Sequence, residues 1–542
     1  MGNRNKPTGL GLLFDEHALA GRSTAFHLSR PFDIAPGAGT DFSVAGLAEL
    51  VQETSGLLYA AGARAGDRVA IAKDNHWDYL ILACATARFG GLPVLIAGSL
   101  PAQTLGTVLK RADAQLLVTT ADILGRAAEQ GVDLKSLVPR TVTVGAAPPG
   151  TSPAAPPGTV ALDDLRGART PGAYRTAGYE PMVATHTSGT TGVPKLVVHS
   201  VDTVLGHLGR TESLRFPIVA MKRSDTVATA TPFNHMRMIT WSTGTLRLEP
   251  KDALVLADAR PATAERMFAG RRPTYLEALP ATYIGWQELA GRRPELYGRV
   301  RLYVSTFDAI HPPTVRRFLH ASERRFPAWL QGWGQSETGP MTFRLLTRRA
   351  LAAKGDRHPT TRDVGRPIPG FTGMKVVDPA TMKPVPNGKP GVLLTRTDGR
   401  CIGYLGEQRR WQDKARGKWW NTGDYGVRTA AGAFRLLDRE VDVIPGMSCI
   451  ELEDVLADRL PQLLEAAVIG IPGQLPLPVV CTRDGSLDEA EWARATADLP
   501  ALGAPRVLPL AEIPRTSTGK VRRVELRERL LGEETYGTGR WT

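Results

Sequence analysis

Thr187-Ser188-Gly189-Thr190-Thr191-Gly192-Val193-Pro194-Lys195 places four hydroxyls, two glycines and one lysine within nine residues. It follows shortly after the apolar-leaning Tyr179-Glu180-Pro181-Met182-Val183-Ala184. Glycine lets backbone N–H groups turn toward an anion, hydroxyls add donors, and Lys195 adds a full positive charge. That is chemistry for holding a polyphosphate. The spacing is not that of the P-loop, which needs Gly, four residues, then Gly-Lys-Ser/Thr. A Thr/Gly-rich stretch also suits a polar surface hairpin, so the rest of the chain has to decide.

Outward from this stretch, helix and strand signals alternate. Val44, Leu47, Leu50 and Val51 recur at helical spacing, Gly62 and Gly66 close that helix, and Asp67 to Ala72 reads as a short strand. A second helix over Tyr79 to Ala87 leads into the apolar Leu92-Pro93-Val94-Leu95-Ile96. Such alternation predicts an α/β architecture with buried parallel strands. The segment from Gly145 to Gly158 is a Pro-rich connector. The composition shifts near Arg439. Beyond it the pattern predicts a helix (Glu451 to Leu460), a strand (Ala466 to Ile471), a helix around Asp488 to Asp498 and a basic helix from Val521 to Leu531. We therefore expect a large domain over 1–439 and a small α+β domain over 440–542.

A chain of 542 residues exceeds one ordinary core. Its 42% hydrophobic and 22% charged residues are those of a folded globular protein. No apolar run is long enough to span a bilayer, so no membrane partner is expected. The basic start Met1 to Lys6 has no apolar segment behind it, and Lys6 stands where a myristoylation signal needs Ser or Thr. Cys84, Cys401, Cys449 and Cys481 show no metal-ligand spacing and fit reduced thiols in a cytoplasmic setting. The net charge of +13 favours anionic ligands. Arginine pairs such as Arg316-Arg317 and Arg324-Arg325 are scattered rather than striped, which argues against nucleic acid.

Four further stretches carry chemistry. Gly332-Trp333-Gly334-Gln335-Ser336-Glu337-Thr338-Gly339 sets an aromatic between glycines, then a hydroxyl and a carboxylate suited to a phosphate and its Mg²⁺. In Trp420-Asn421-Thr422-Gly423-Asp424 a carboxylate at a tight turn can take both hydroxyls of a ribose. Asp438-Arg439 places a guanidinium where the small domain begins, and Pro514 to Arg523 presents Lys520 behind Gly519. Singly, Glu337 suits a helix cap, Asp424 an Asx-turn and Lys520 a solvated charge. In this order, the stretches resemble the adenylate-forming superfamily of acyl-CoA synthetases, non-ribosomal adenylation domains and luciferases, from about Phe42 to Leu531.

The resemblance implies a large N-terminal domain of two β-sheets sandwiched with helices plus a distorted β-barrel, and a small mobile α+β C-terminal domain. It implies ATP and Mg²⁺. Thr187, Ser188, Gly189, Thr190, Thr191, Gly192 and Lys195 would orient the β- and γ-phosphates. Trp333, beside Gly334, stands where an adenine-stacking tyrosine usually falls. Ser336 would touch the α-phosphate, Glu337 would hold Mg²⁺, and Asp424 would bind ribose. Arg439 would lie near the hinge, and Lys520 would serve the adenylation step. His235 matches acyl and aryl ligases; with Met236, Arg237, Ser305, Thr306, Phe307 and Gly332 it would line the substrate pocket, and Asp308 would lie on the nucleotide side.

The chain departs from the pattern in three places. Val304-Ser305-Thr306-Phe307-Asp308-Ala309-Ile310 replaces a Gly-Gly-Ala-Pro type stretch, so Phe307 should fill space and favour a small or flat acid. The loop after Arg439 is shorter by about one turn, which weakens the case for coenzyme A transfer. Phe233 to Ile239 lacks the Asp that amino-acid-activating relatives use, whereas Arg237 offers a cation to an anionic substrate. The leading reading is an ATP-dependent ligase that activates a small or aromatic carboxylic acid as acyl-AMP. It would pass the acyl group to coenzyme A or to the phosphopantetheine of an acyl carrier protein. The runner-up keeps adenylation but gives the group to an amine, or forms an N–N bond from nitrite and an amine. A third reading, a non-catalytic nucleotide-binding protein, conflicts with the joint presence of Lys195, Glu337, Asp424 and Lys520.

Overall fold

A computed structural model describes residues 9–145, 156–187, 193–352, 363–439, 449–471, 474–516 and 518–532. The fold is mixed α/β and rich in sheet, and it divides into two compact units. One comprises Met1–Glu277 with Ser336–Gly339 and Asp398–Asp413; the other comprises Ala278–Gln335, Pro340–Thr397 and Lys414–Thr542.

In the first unit, helix α1 (Val44–Ala60) begins where the Ser43 hydroxyl accepts the Gly46 N–H at 3.0 Å. Strand β1 (Arg68–Lys73), helix α2 (Asp78–Arg88) and strand β2 (Leu92–Ala97) follow, then β3 (Leu116–Thr119) and β4 (Arg140–Thr143). These strands pair in parallel in the order β2-β1-β3-β4. Buried on both faces, they read as near-continuous apolar runs, which is why the sequence shows them so well. Beyond β2 the sheet continues with β5 (Pro181–His186), parallel to it, and β6 (Leu196–Ser200), antiparallel to β5. Gly403–Tyr404 pairs with the outer edge of β6. A second set of strands, Thr226–Ala230, Asp252–Val255 and Ala25–Leu28, is also parallel. Helix α3 (Met236–Leu248) belongs to this unit.

The second unit carries β7 (Leu302–Ser305), parallel to β8 (Ala328–Gln335), with helix α4 (Pro312–Ala321) between them. Strand β9 (Gly339–Leu346) follows, then β10 (Asp363–Pro367), β11 (Thr372–Val377), β12 (Gly391–Thr397), β13 (Trp419–Arg428) and β14 (Phe434–Arg439). From β9 onward the ladder is antiparallel in the order β9-β10-β14-β13-β12-β11. The C-terminal part holds helix α5 (Cys449–Arg459), strands β15 (Leu463–Ile469) and β16 (Leu477–Thr482), a helix Glu489–Thr496 and helix α6 (Arg523–Leu531). Two apolar clusters are drawn wholly from this stretch, one around Leu456 and Val480, the other around Val479 and Leu526.

The helices and strands expected around 44–97 and beyond 449 appear within a few residues of their expected limits. Most of the Pro-rich connector (146–155) and the loop that follows the expected boundary at Arg439/Glu440 (440–448) lie outside the described residues. No helix among the described residues is long and apolar enough to cross a membrane.

Lys73, at the end of β1, has a fully buried side chain and sits 2.5 Å from Asp33 and 2.8 Å from Asp78. Asp78 also accepts the Asp33 and Ile34 backbone N–H groups. Asp33 is held down at a pKa of about 2: burial opposes its charge, but the Lys73 and Arg30 cations more than offset that. Removing one partner strands a buried charge, so Asp78→Ala should cost about 3–5 kcal/mol of stability. Thermal or urea unfolding of the variant checks it.

Candidate functional site

The base of the hydroxyl-rich loop is fixed from both ends. Thr187 donates its N–H to the Lys195 carbonyl at 2.9 Å, and its hydroxyl accepts the Lys195 N–H at 3.1 Å. Ser188, Gly189, Thr190, Thr191 and Gly192 lie outside the described residues. Behind Thr187, the buried His186 Nε2 takes the Ala97 N–H at 3.0 Å and lies 2.8 Å from the Asn234 amide nitrogen. With Nε2 an acceptor, Nδ1 carries the proton and donates it to the Thr187 carbonyl at 2.7 Å. Burial keeps this ring below the ordinary histidine pKa, hence neutral. His186 thereby ties the loop, the end of β2 and the residue before His235 to one another.

The turn after β8 is held in the same way. His199, on β6, donates Nε2–H to the Ser336 carbonyl at 2.8 Å, and burial lowers its pKa to about 4. His235 caps α3: its Nδ1 accepts the Arg237 N–H at 3.1 Å. Its proton therefore sits on Nε2, 3.0 Å from the Ser336 hydroxyl oxygen. That oxygen is an acceptor here, which leaves the Ser336 proton as the one the hydroxyl can give. Glu337 is buried; its carbonyl accepts the Cys401 N–H at 2.7 Å and its Oε1 accepts the Tyr404 hydroxyl at 2.6 Å. Lys195 Nζ lies 4.0 Å from the same carboxylate oxygen and 5.1 Å from the Tyr404 ring centroid. Burial and the Glu337 carboxylate push the Tyr404 phenol up, so it stays a donor.

A single buried carboxylate next to a lysine fits Mg²⁺, which keeps its own waters and takes one or two carboxylates plus substrate phosphates. Among the described residues no group of three or more His, Cys, Asp or Glu could enclose a metal by itself. The set is suited to a cation that arrives on a polyphosphate.

Arg237 corrects one expectation. Its guanidinium pairs with Glu277 at 2.6 and 2.7 Å and with Glu212 at 2.6 and 2.8 Å. Burial opposes that charge, yet the two carboxylates hold its pKa well above the ordinary value. A cation already shared by two carboxylates is not on offer to an anionic substrate. It ties α3 to the residues around it. Met236, beside it, is buried.

In the second unit, Gln335 organises the carboxylate of Asp424. Its amide nitrogen donates to Asp424 Oδ2 at 2.9 Å and to the Thr422 carbonyl at 2.7 Å, while its oxygen faces the Trp420 indole N–H at 3.4 Å. The Thr422 hydroxyl accepts the Asp424 N–H at 3.1 Å and donates to the Leu393 carbonyl at 2.8 Å. Arg439 lies opposite Asp424 in the β13–β14 register. Trp333, half-buried and next to Gly334, packs its ring on an apolar cluster of Met341, Val364, Met374, Leu393 and Phe434.

The stretch after β7 splits into packing and strain. Ser305 is fully buried and its hydroxyl accepts the Trp329 indole N–H at 2.8 Å, so it faces the core rather than a cavity. Phe307 has a φ of +79°, a left-handed conformation that is a genuine outlier for a bulky residue. Asp308 turns its carboxylate onto the neighbouring Ala309 N–H at 3.0 Å. At Gly332 a Cβ would come within 3.0 Å of Thr306 Cγ2 and 3.2 Å of the Phe343 ring, which accounts for glycine there. Lys520 sits on a tight turn: its N–H reaches the Thr516 hydroxyl at 3.1 Å and its carbonyl accepts the Thr516 N–H at 2.8 Å.

All four cysteines are buried. Burial pushes the thiols of Cys84 and Cys401 well above their ordinary pKa, and that of Cys481 up to about 12. The structure thus groups Lys195, His235, Ser336 and Glu337 in one unit, and Trp333, Asp424 and Lys520 belong to the other. His186, His199, Gln335 and Tyr404 were not singled out from the sequence. Gln335 stood inside a quoted stretch; the other three act through partners far away in the chain.

A family model described as AMP-binding enzyme matches residues 17–405. The chain is 38% identical to the 3-amino-2-hydroxy-4-methoxybenzoate diazotase of Streptomyces cremeus, over 98% of this chain and 97% of that protein. It is 24% identical to a 3-aminoavenalumate diazotase of a Streptomyces species, over 90% of this chain and 89% of that one. Among solved structures, an anthranilate CoA ligase in complex with anthranoyl-AMP shares the fold at a TM-score of 0.77, with 20% identity, covering 98% of this chain and 99% of that one.

His199 gives the site a pH signature. Its folded pKa of about 4 lies below the ordinary 6.5, so the unfolded chain binds the proton first. The stability it contributes is fully present above pH ~6.5 and is lost as pH falls toward 4, on the order of 3 kcal/mol in all. His199→Gln, which keeps a donor for the Ser336 carbonyl without a titrating ring, should flatten that acid limb in urea unfolding between pH 7 and 4.5.

Proposed function

The chain belongs to the AMP-binding enzyme family and is an ATP-dependent adenylate-forming ligase, and from that premise we propose that it is a diazotase. The observation that carries this reading is the full-length similarity to a diazotase at 38% identity. In the proposed reaction a nitrite oxygen bonds to the α-phosphorus of ATP as the bond to the bridging oxygen breaks and pyrophosphate leaves. The nitrogen of an aromatic amine then attacks the nitrosyl nitrogen, and AMP departs with the nitrite oxygen. The N-nitroso product loses a proton, tautomerises and expels water to give the diazo group. No oxidant or reductant is needed.

Nitrite and the α-phosphate are both anionic, so positioning and charge neutralisation carry the first step. We assign the phosphates to Thr187, Lys195 and the loop between them. Ser336, its hydroxyl oxygen engaged by His235 and its carbonyl by His199, directs its proton to an α-phosphate oxygen. Glu337 would hold Mg²⁺, which when bound neutralises charge on the phosphates. Asp424, steadied by Gln335, takes the ribose; Trp333 lies on the adenine with its other side on the apolar cluster; Arg439 stands near the hinge. Lys520 supplies the cation at the reacting phosphate. The amine substrate is an aromatic acid with an amino group beside a hydroxyl, as in the relative's named substrate, and the Phe307 ring favours a flat molecule of this kind. The small domain from about residue 440 brings Lys520 to and from this work.

Transfer to coenzyme A or a carrier protein, the leading reading of the sequence, gives way to this one, since the similarity at 38% identity is to an enzyme named for diazo formation. One screen decides. Pyrophosphate release is followed with ATP and nitrite or small carboxylic acids, each with and without an aromatic amine or coenzyme A, and products are read by mass. Nitrite-dependent release should appear, with an ortho-aminophenol gaining one nitrogen and losing three hydrogens, and heavy oxygen from labelled nitrite recovered in AMP. Release that needs a carboxylic acid and yields a thioester would overturn the proposal. In the same assay Lys520→Ala should lose ~10²–10³-fold in rate with ATP affinity little changed.

A further inference from the structure

In the second unit three buried charged groups, Asp454, His311 and Glu465, stand in a row that ends on the half-buried Arg515. His311 stands at the N-cap position of α4, and its Nδ1 lies 3.0 Å from Asp454 on α5. Its Nε2 lies 3.2 Å from Glu465 Oε1 on β15. The other Glu465 oxygen accepts from Arg515 Nη2 at 2.6 Å, and Arg515 Nη1 donates to the Gly519 carbonyl at 2.9 Å. Gly519 is the residue before Lys520, it holds φ at +80°, and a Cβ there would press within 3.2 Å of Ala281 and 3.3 Å of Leu279. A continuous line of polar contacts therefore runs from the end of α4 to the peptide that carries the lysine.

From this geometry we infer that His311, as an imidazolium, is a positioning residue for Lys520, acting through Glu465 and Arg515. The inference rests on the assignment of Lys520 to the adenylation step. Both ring nitrogens face carboxylates, so both must donate, and only the protonated ring has two donors. Charge balance agrees. Asp454, Glu465 and Arg515 sum to minus one; the imidazolium brings the row to zero, and a neutral ring would leave a buried charge uncompensated.

The other charged groups around the ring are already committed. On α5, Glu453 pairs with Arg523 of α6, and Asp458 with Arg316 of α4. Arg344, on β9, lies in the field of Asp454. Burial opposes charge on His311, but its bonds to Asp454 and Glu465 outweigh that and raise its pKa well above the ordinary 6.5. Glu465 is held at about 2, burial again opposing and His311 and Arg515 prevailing. With the folded pKa raised, the link is fully made below pH ~6.5 and is lost as pH rises through the elevated value. Adenylation should carry an alkaline limb from this ring.

The test uses the full-length enzyme and whichever anion of the preceding screen, nitrite or carboxylate, supports pyrophosphate release. His311→Gln keeps one donor but neither the second nor the charge. Arg515→Lys keeps a cation for Glu465 but drops the second arm to the Gly519 carbonyl, and it carries the test should His311→Gln not fold. Each should lower kcat about 10- to 100-fold, as a misplaced catalytic group does. The KM for ATP should stay within about twofold, and in His311→Gln the alkaline limb should disappear. Folded variants with wild-type kcat and pH profile, beside an inactive Lys520→Ala, would overturn the positioning role alone. A Lys520→Ala enzyme within a few-fold of wild type would overturn the assignment of Lys520 and this inference with it.

Discussion

A turn that leaves the sheet while still largely shielded from water must have its carbonyls satisfied by something other than a neighbouring strand, and that constraint shapes the candidate site of this protein. At Ser336-Glu337 the two carbonyls are taken by His199 and by the Cys401 N–H, the serine hydroxyl by His235, and the glutamate by Tyr404. An unsatisfied carbonyl at such a place would cost about as much as several ordinary hydrogen bonds contribute. His186, which accepts the Ala97 N–H, does this work only when neutral, and burial keeps its pKa low as it does that of His199. Desolvation, elsewhere a penalty, here selects the protonation state that the backbone needs.

Charge is handled by the opposite rule. Where a full charge is buried, it is matched nearby: Lys73 between Asp33 and Asp78, Arg237 between Glu212 and Glu277, His311 between Asp454 and Glu465. Each links elements distant in sequence, so each fixes one arrangement of helices and strands against others of similar apolar packing. Breaking such a set by removing one member costs far more than the net contribution of the intact set.

Much of the architecture was legible in the sequence because burial on both faces of parallel strands forces apolar runs, and the helices between them carry an apolar stripe at helical spacing. The stretches around Lys195, Glu337, Asp424 and Lys520 stood out for another reason: each singly suits a turn, cap or surface charge, but in this order they resemble one family. Arg237 was misread because a sequence shows a cation but not its partners, and Glu212 and Glu277 stand 25 and 40 positions away. His199 and Tyr404 carried no local signal, since each acts on a turn more than sixty residues distant. Gln335 lay inside a quoted stretch and was passed over because its amide reaches a strand 89 positions on.

The four cysteines acquire a meaning from the chemistry proposed for the site. A mixed anhydride of nitrite and AMP is a nitrosating agent, and thiolates are the side chains such agents attack first. Nucleophilic sulfur requires both deprotonation and access. Cys84, Cys401 and Cys481 are denied both, being buried and held in the thiol form at neutral pH. Cys401 is the instructive one, since its own N–H supports Glu337 while burial and the Glu337 charge keep its sulfur protonated. In the reaction proposed, these three thiols are placed where the reagent would not find a nucleophile.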